Sequence, residues 1–388
     1  MVFSGSHDLI ARGFAIEQEI CFVRRMDYTL EDTQRKEKLL KTVYTLQVKS
    51  DSTFQKASPL LTNHPGMGMV TDHQVHQLVE KTRVICHDLD NIKNHLYYRQ
   101  DDLVRRISNP NRNHYGAVGG IHCSPDGVVY ITTENAPRVD VLNRSGQVFR
   151  SIPCVEWKKE VFLPEDVAIT RAGMVAVTDM LNGTVHVFKD HSMFSKGQWL
   201  RIGKFRSPRG IAVEASGRIL VADYTEGKVH VFALDRAFKM QNAHSISNLS
   251  GPRYVCNIPD GGFAVSEECG DVKVFDSSHK LVSSVSSKYG HQFGNPAGIC
   301  ADKEGNIIVA DEQRQKVQLF PKNGSPICLV SKGLLRPTSI ACATDGSLFV
   351  TDSGDNDVKV FKYRVRPHYN PDVVPGDSPN YSPRGKAG

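Results

Sequence analysis

A proline returns through the second half of this sequence at Pro164, Pro208, Pro252, Pro296 and Pro337, at intervals of 44, 44, 44 and 41 residues. Nine residues after each stands a glycine (Gly173, Gly217, Gly261, Gly305, Gly346), and six further on an acid (Asp179, Asp223, Glu267, Asp311, Asp352). Each unit then closes in a β-rich run ending at Phe188, Phe232, Phe275, Phe320 or Phe361. A weaker copy precedes them, from Val118 through Gly127 to Leu142, which makes six. A unit of about 40–45 residues cannot bury its apolar face alone and must stack on its neighbours, so the period constrains the fold more than any other feature.

Each copy reads as four strands. Short runs of small apolar residues, such as Ile211-Ala212-Val213 and Ile299-Cys300-Ala301, suit a crowded inner strand. The glycine lies in a turn, as in Pro125-Asp126-Gly127, Lys303-Glu304-Gly305 and Thr344-Asp345-Gly346, which is hairpin chemistry. Val229–Phe232 and Val358–Phe361 alternate with period two, and a fourth, less regular strand follows. The fold class predicted is all-β, a six-bladed antiparallel propeller. After Phe361 the chain offers no fourth strand for the last blade, whereas Leu103-Val104-Arg105-Arg106-Ile107 is a β-capable run upstream of the first. We expect that run to close the ring, because an open blade would expose a sheet edge.

The pattern Pro-x-Gly-Ile-Ala-Val, then Gly-x-Ile-x-Val-Ala-Asp, then Val-x-Val-Phe resembles the NHL repeat, best in Ser207 to Phe232 and Asn295 to Phe320. Blade 1 departs most, with Val118 in place of the proline and Thr133 in place of the acid, and blade 4 carries Glu267 for Asp. The expected domains are a helical or coiled-coil region over 1–100, the propeller over 101–366 and a disordered tail over 367–388.

Upstream, Val75, Leu78, Thr82, Ile85, Leu89, Ile92 and Leu96 alternate by three and four, a heptad stripe within residues 72–101. An earlier helical stretch spans about 15–56, with a break from Pro59 to Gly68. Such a stripe predicts one of three things: pairing of the two helices as a hairpin, packing on the propeller flank, or self-association into a homo-oligomer through 72–101. A helical segment leading into an NHL propeller resembles the carboxy-terminal half of the TRIM-NHL family. The RING and B-boxes of that family need clustered zinc ligands, and the first seventy residues here hold one cysteine, Cys21. The resemblance therefore implies the substrate-recognition part of a ubiquitin-ligase-type system, and no enzyme in its own right.

The remaining chemistry points the same way. Nine cysteines without a C-x-x-C pair argue against a disulfide framework or a Cys-rich zinc module. No apolar run of membrane-spanning length and no basic-then-apolar leader are present, so the expectation is a cytoplasmic protein with no membrane partner. A carboxylate repeated in five of the six blades reads as a structural acceptor for N–H groups of the loop between the second and third strands, because a catalytic group is usually unique. The inner strands offer His122, Cys123, Cys256, Cys300 and Cys342, and one histidine makes no metal site. His73, His76, Cys86, His87 and His95 share one helical segment and need no metal. Phosphate-loop, nucleophile-elbow and zincin motifs are missing from the sequence. We therefore expect no catalytic residue, cofactor or metal.

What remains is a binding face. Net charge is +6, and the loops joining one blade's fourth strand to the next blade's first concentrate Lys158, Lys159, Lys204, Arg206, Arg209, Arg253, Lys332 and Arg336. Trp199, Phe205 and Tyr254 lie near them. Such a face suits a protein client, or alternatively single-stranded RNA, with phosphates on the cations and bases stacked on the aromatics.

Overall fold

The computed structural model describes residues 80–364, apart from 81–82, 85, 93, 95–96, 110–112, 144, 156–159, 190–198, 236–238 and 269. The described residues from 98 on form six antiparallel sheets of four strands each. Blade 1 comprises Val118–Cys123, Val129–Thr133, Arg138–Leu142 and Val148–Pro153. Blade 2 runs from Val167–Ile169 to Trp199–Gly203, blade 3 from Pro208–Val213 to Met240–Ile246, and blade 4 from Pro252–Asn257 to Leu281–Ser284. Blade 5 spans Pro296–Ala301 to Ile327–Val330. Blade 6 takes Pro337–Cys342, Ser347–Asp352 and Asp357–Lys362 from one end of the domain and Leu103–Ser108 from the other.

The closing strand behaves as the strand count requires. Leu103 lies opposite Phe361, Ile107 opposite Val358 and Ser108 opposite Asp357, antiparallel, with a bulge between Leu103 and Arg105. The lead-in is fastened as well. Tyr98 stacks on Tyr363 at 6.2 Å, and its hydroxyl accepts a hydrogen bond from Asn306 Nδ2 at 2.8 Å. Asp101 N donates to Leu329 O at 2.8 Å, and Ser331 N donates back to the Asp101 carboxylate at 2.6 Å.

The apolar core is divided among the interfaces between blades. Ile107, Val118, Ile131, Phe349 and Val360 pack together where blade 6 meets blade 1. Ala176, Val185, Ile211, Ile219 and Phe232 do so between blades 2 and 3, and equivalent clusters fill the seams of blades 3 with 4 and 4 with 5. Close approach of the inner strands explains the glycine two residues after the proline. A Cβ on Gly210 would lie 2.6 Å from Tyr254 Cα, and one on Gly298 would lie 2.5 Å from Ser339 Cα. The turn glycines all take positive φ, from 72° at Gly173 to 103° at Gly261, as a tight hairpin demands.

The described residues between 80 and 97 are helical. Of the heptad stripe, Leu89 is buried and Ile92 half-buried, while Val75, Leu78, Thr82, Ile85 and Leu96 lie outside the described residues. The stretch 15–56, its break and the tail 367–388 lie outside them too. Among the described residues no helix is long and apolar enough to cross a membrane.

A candidate binding face at the propeller loops

Proline and acid are partners across the first two strands of a blade: Pro208 lies opposite Asp223, Pro252 opposite Glu267, Pro296 opposite Asp311 and Pro337 opposite Asp352. The proline has no N–H to give, and the acid reaches past it to the two amides before it. Asp223 accepts Arg206 N at 2.8 Å and Ser207 N at 2.9 Å. Asp311 accepts Gly294 N and Asn295 N at 2.8 and 3.0 Å, and Asp352 accepts Leu335 N and Arg336 N at 2.8 and 2.7 Å. A further amide comes from the loop between second and third strands, from Glu226 to Asp223 and from Arg314 to Asp311. The sequence reading expected only this last donor. The stronger pair comes from the other loop set, so Asp223, Asp311 and Asp352 each tie the two loops of one face together, while Glu267 takes Ser250 N and Asp179 takes Asn182 N.

A second element of the device escaped the sequence reading. Seven residues after the acid, or six in blade 4, the third strand places His186, His230, Lys273, Gln318 or Lys359. Lys359 Nζ lies 2.6 Å from Asp352, and Lys273 Nζ lies 2.8 Å from Glu267. Burial alone would raise the Asp352 carboxyl, but Lys359 and the two amides hold it below the usual range.

At the same end of the strands, the residue after the proline and the residue after the acid come into contact within and between blades. In blades 3 to 5 these positions carry Arg209, Tyr224, Arg253, Glu268 and Glu312. The Arg209 guanidinium lies 4.4 Å above the Tyr224 ring, and the Tyr224 hydroxyl donates to Glu268. Arg253 is buried, with Nη1 2.7 Å from Glu312 Oε2, and Arg336 Nε lies 2.7 Å from the other oxygen of the same carboxylate. Arg206 Nε lies 3.8 Å from Glu226.

The structure thus joins Arg253 and Arg336 through Glu312, sets Arg209 on Tyr224, whose hydroxyl meets Glu268, and places Arg206 by Glu226. Lys204 is exposed, with φ of 96°, directly after the outer strand of blade 2. Lys332 is exposed beside Asp101, which accepts its backbone N–H at 3.3 Å. Lys158 and Lys159 lie outside the described residues. The acids that answer these cations stand one or three places after the repeated acid, a spacing visible in the sequence once the register is known.

The aromatics differ from expectation. Trp199, Phe205 and Tyr254 are half-buried and pack against the clusters between blades. Trp199 stacks on His186 at 5.5 Å and Phe205 meets His230 edge-on at 5.1 Å. They fill space between blades, as large rings in a crowded seam must, and offer no open platform. Burial pushes His122 down to about 4 and the Cys123 and Cys256 thiols up to about 12, so the imidazole is neutral and the thiols stay protonated.

Comparison with known proteins agrees with this architecture. The NHL repeat matches residues 293–320. NHL-repeat-containing protein 4 of Mus musculus is 56% identical over 119 residues, which cover 31% of this chain and 88% of that protein. The E3 ubiquitin-protein ligase TRIM32 of Mus musculus is 40% identical over 75 residues, 19% of this chain and 12% of the ligase. The E3 ubiquitin-protein ligase NHLRC1 of Rattus norvegicus is 31% identical over 216 residues, 53% of this chain and 46% of that protein. With six blades built on one repeat, and a relative matched over most of its length, this chain belongs to the NHL-repeat proteins.

Proposed function

We propose that this protein is a non-enzymatic binding scaffold whose propeller loop face recruits a protein client, as the recognition part of a ubiquitin-ligase-type system. The observation that carries the reading is the pairing of exposed leucines with fixed backbone. Leu181 and Leu335 are 70% and 54% exposed, and both stand in loops held by the repeated acids. Leu335 N donates to Asp352, and beside Leu181 the Asn182 amide donates to Asp179 at 3.1 Å. Apolar anchors on a pre-ordered backbone bind with little entropy left to lose.

The charge pattern favours protein over RNA. A phosphate-tracking groove needs cations free to replace counterions, whereas Arg206, Arg253 and Arg336 already face Glu226 and Glu312. A surface of matched charges around apolar anchors suits a partner of mixed charge.

The test uses the full chain and an Arg206→Glu/Arg336→Glu/Leu335→Asp variant, with quantitative mass spectrometry of proteins captured from cells. We expect a client enriched by the wild type and lost about tenfold or more in the variant, an interface hot-spot loss of about 1.4 kcal/mol or more. A random single-stranded RNA, titrated at two salt concentrations, forms the second arm. Tight RNA binding that falls steeply with salt and vanishes in the variant would replace the protein reading by the RNA one.

A further inference from the structure

The base on the third strand exposes a difference between blades. In blade 6, Lys359 Nζ sits between two carboxylates, 2.6 Å from Asp352 and 2.7 Å from Asp355. Blade 3 keeps both acids at the same spacing, Asp223 and Glu226, and puts His230 in the lysine's register, opposite Val221 as Lys359 is opposite Val350. The imidazole is too short to fill the place. Its Nε2 stops 3.7 Å from Asp223 Oδ2 and 3.5 Å from Glu226 Oε2. That nitrogen is buried and, among the described residues, has no hydrogen-bond partner. Where blade 6 has an ammonium, blade 3 has two carboxylates and a ring nitrogen, with all three ligand atoms within 4.8 Å of one another.

We propose that Asp223, Glu226 and His230 bind a divalent transition-metal ion, Zn2+ by the chemistry of the ligands, in the place that the Lys359 ammonium holds in blade 6. Imidazole with two carboxylates is a zinc donor set, and bond lengths of about 2.0–2.2 Å put neighbouring ligand atoms roughly 3.2–3.5 Å apart in a tetrahedron. The two separations to the imidazole, 3.7 and 3.5 Å, need to close by only a few tenths of an ångström, and the two carboxylates lie within 4.8 Å of each other. Asp223 is already oriented by the Arg206 and Ser207 amides, the support that a metal-binding carboxylate requires. Two cations compete for Glu226: Lys228 Nζ at 3.2 Å and Arg206 Nε at 3.8 Å, with side chains 36% and 71% exposed. Both are long enough to turn into solvent. Blade 2 provides an internal control, because Asn182 replaces the second acid and the His186 ring nitrogen is engaged by Thr184 Oγ1 at 2.9 Å. Three protein ligands leave a position for water or for a donor from a bound partner.

The test is calorimetric titration of the full chain with Zn2+, beside His230→Lys and Glu226→Gln. Lysine rebuilds the blade 6 arrangement, so His230→Lys keeps the fold and fills the place from within. We expect the wild type to bind one Zn2+ more than His230→Lys, and Glu226→Gln to bind that ion about 10–100-fold more weakly. The wild-type melting temperature should rise with Zn2+ by more than that of His230→Lys. Equal stoichiometry in the wild type and His230→Lys overturns the proposal, as does a wild type that binds none. Should His230→Lys fail to fold, His230→Gln carries the same comparison.

Discussion

Blades 6 and 1 meet at the seam of the ring and hold the same loop in opposite ways. In blade 6 the charge device is complete: Asp352 accepts the Leu335, Arg336 and Gly354 amides and is met by the buried Lys359. Blade 1 has none of it, since Val118, Thr133 and Asp140 stand at the places of Pro337, Asp352 and Lys359. Val118, unlike a proline, keeps an N–H, and Asn356 of blade 6 accepts it at 2.9 Å. The same Asn356 oxygen accepts Asn109 Nδ2 at 2.9 Å, and Thr133 Oγ1 donates to Asn109 Oδ1 at 3.3 Å. The difference teaches what the repeated acid is for. It collects the two amides before the proline; in blade 1 the equivalent Gly116 and Ala117 amides go to the Glu134 carbonyl at 2.9 Å and carboxylate at 3.4 Å, and the extra N–H of Val118 is taken by the neutral Asn356 amide of blade 6.

The largest effect should come from breaking the charged version. Asp352→Ala takes one of the two carboxylates from Lys359, which is 1% exposed and keeps Asp355 at 2.7 Å, and removes the acceptor of the loop amides. Breaking one arm of a buried charge cluster together with the loss of the amide acceptor costs about 3 kcal/mol, read as a loss of unfolding free energy in urea. Thr133→Ala in blade 1 should cost about 1 kcal/mol by the same measurement. Equal costs would refute the contrast between the blades. The pH dependence has a definite sign. The folded Asp352 carboxyl titrates below its ordinary value of 3.8, so its contribution is present above that pH and fades as pH falls through the folded value. The deficit of Asp352→Asn against the wild type should therefore shrink under acid conditions.

A smaller loss tests the neutral version. Asn356→Ala leaves Val118 N and Asn109 Nδ2 without their acceptor and puts alanine at φ of 60°. We expect about 1–3 kcal/mol, the range for buried groups left unsatisfied. Asn356→Gly keeps the backbone free at that φ, so the part of the cost shared by both variants belongs to the hydrogen bonds. A loss in Asn356→Ala that Asn356→Gly fully recovers would mean that backbone conformation alone mattered.

The architecture was readable because a period of 44 residues leaves little choice, and the closing strand followed from counting. The acids were recognised as structural from their recurrence, yet most of their donors were missed. Which loop reaches Asp223 depends on the pairing of Pro208 with Asp223, a register that spacing within one strand does not reveal. The face was harder still. Arg253 and Arg336 read as free basic residues in a linear sequence, and their shared partner Glu312 lies in another blade, brought there by the stacking of the sheets. Trp199 and Phe205 misled for the same reason, because proximity to basic residues along the chain says nothing about which side of a blade a ring faces.

Blade 5 allows the comparison to be sharpened by addition. It has the acid, Asp311, with its amides from Gly294, Asn295 and Arg314, but Gln318 occupies the place of the base. Arg314 Nε approaches Asp311 only to 3.9 Å, from a largely solvent-facing side chain. The amides thus suffice to hold the loop, and a cation is an increment to the device. Gln318→Lys supplies the missing ammonium opposite Val309, the register that Lys359 holds opposite Val350. Desolvating the new charge offsets most of its attraction to Asp311, so the expected gain is about 0–1 kcal/mol, seen as a rise of a degree or two in melting temperature. A gain as large as the loss in Asp352→Ala would mean that the charge pair, and not the amide cage, is the principal support of the loops. A loss would mean that the Gln318 site is closed to a cation and that blade 5 differs from blade 6 in shape as well as in charge.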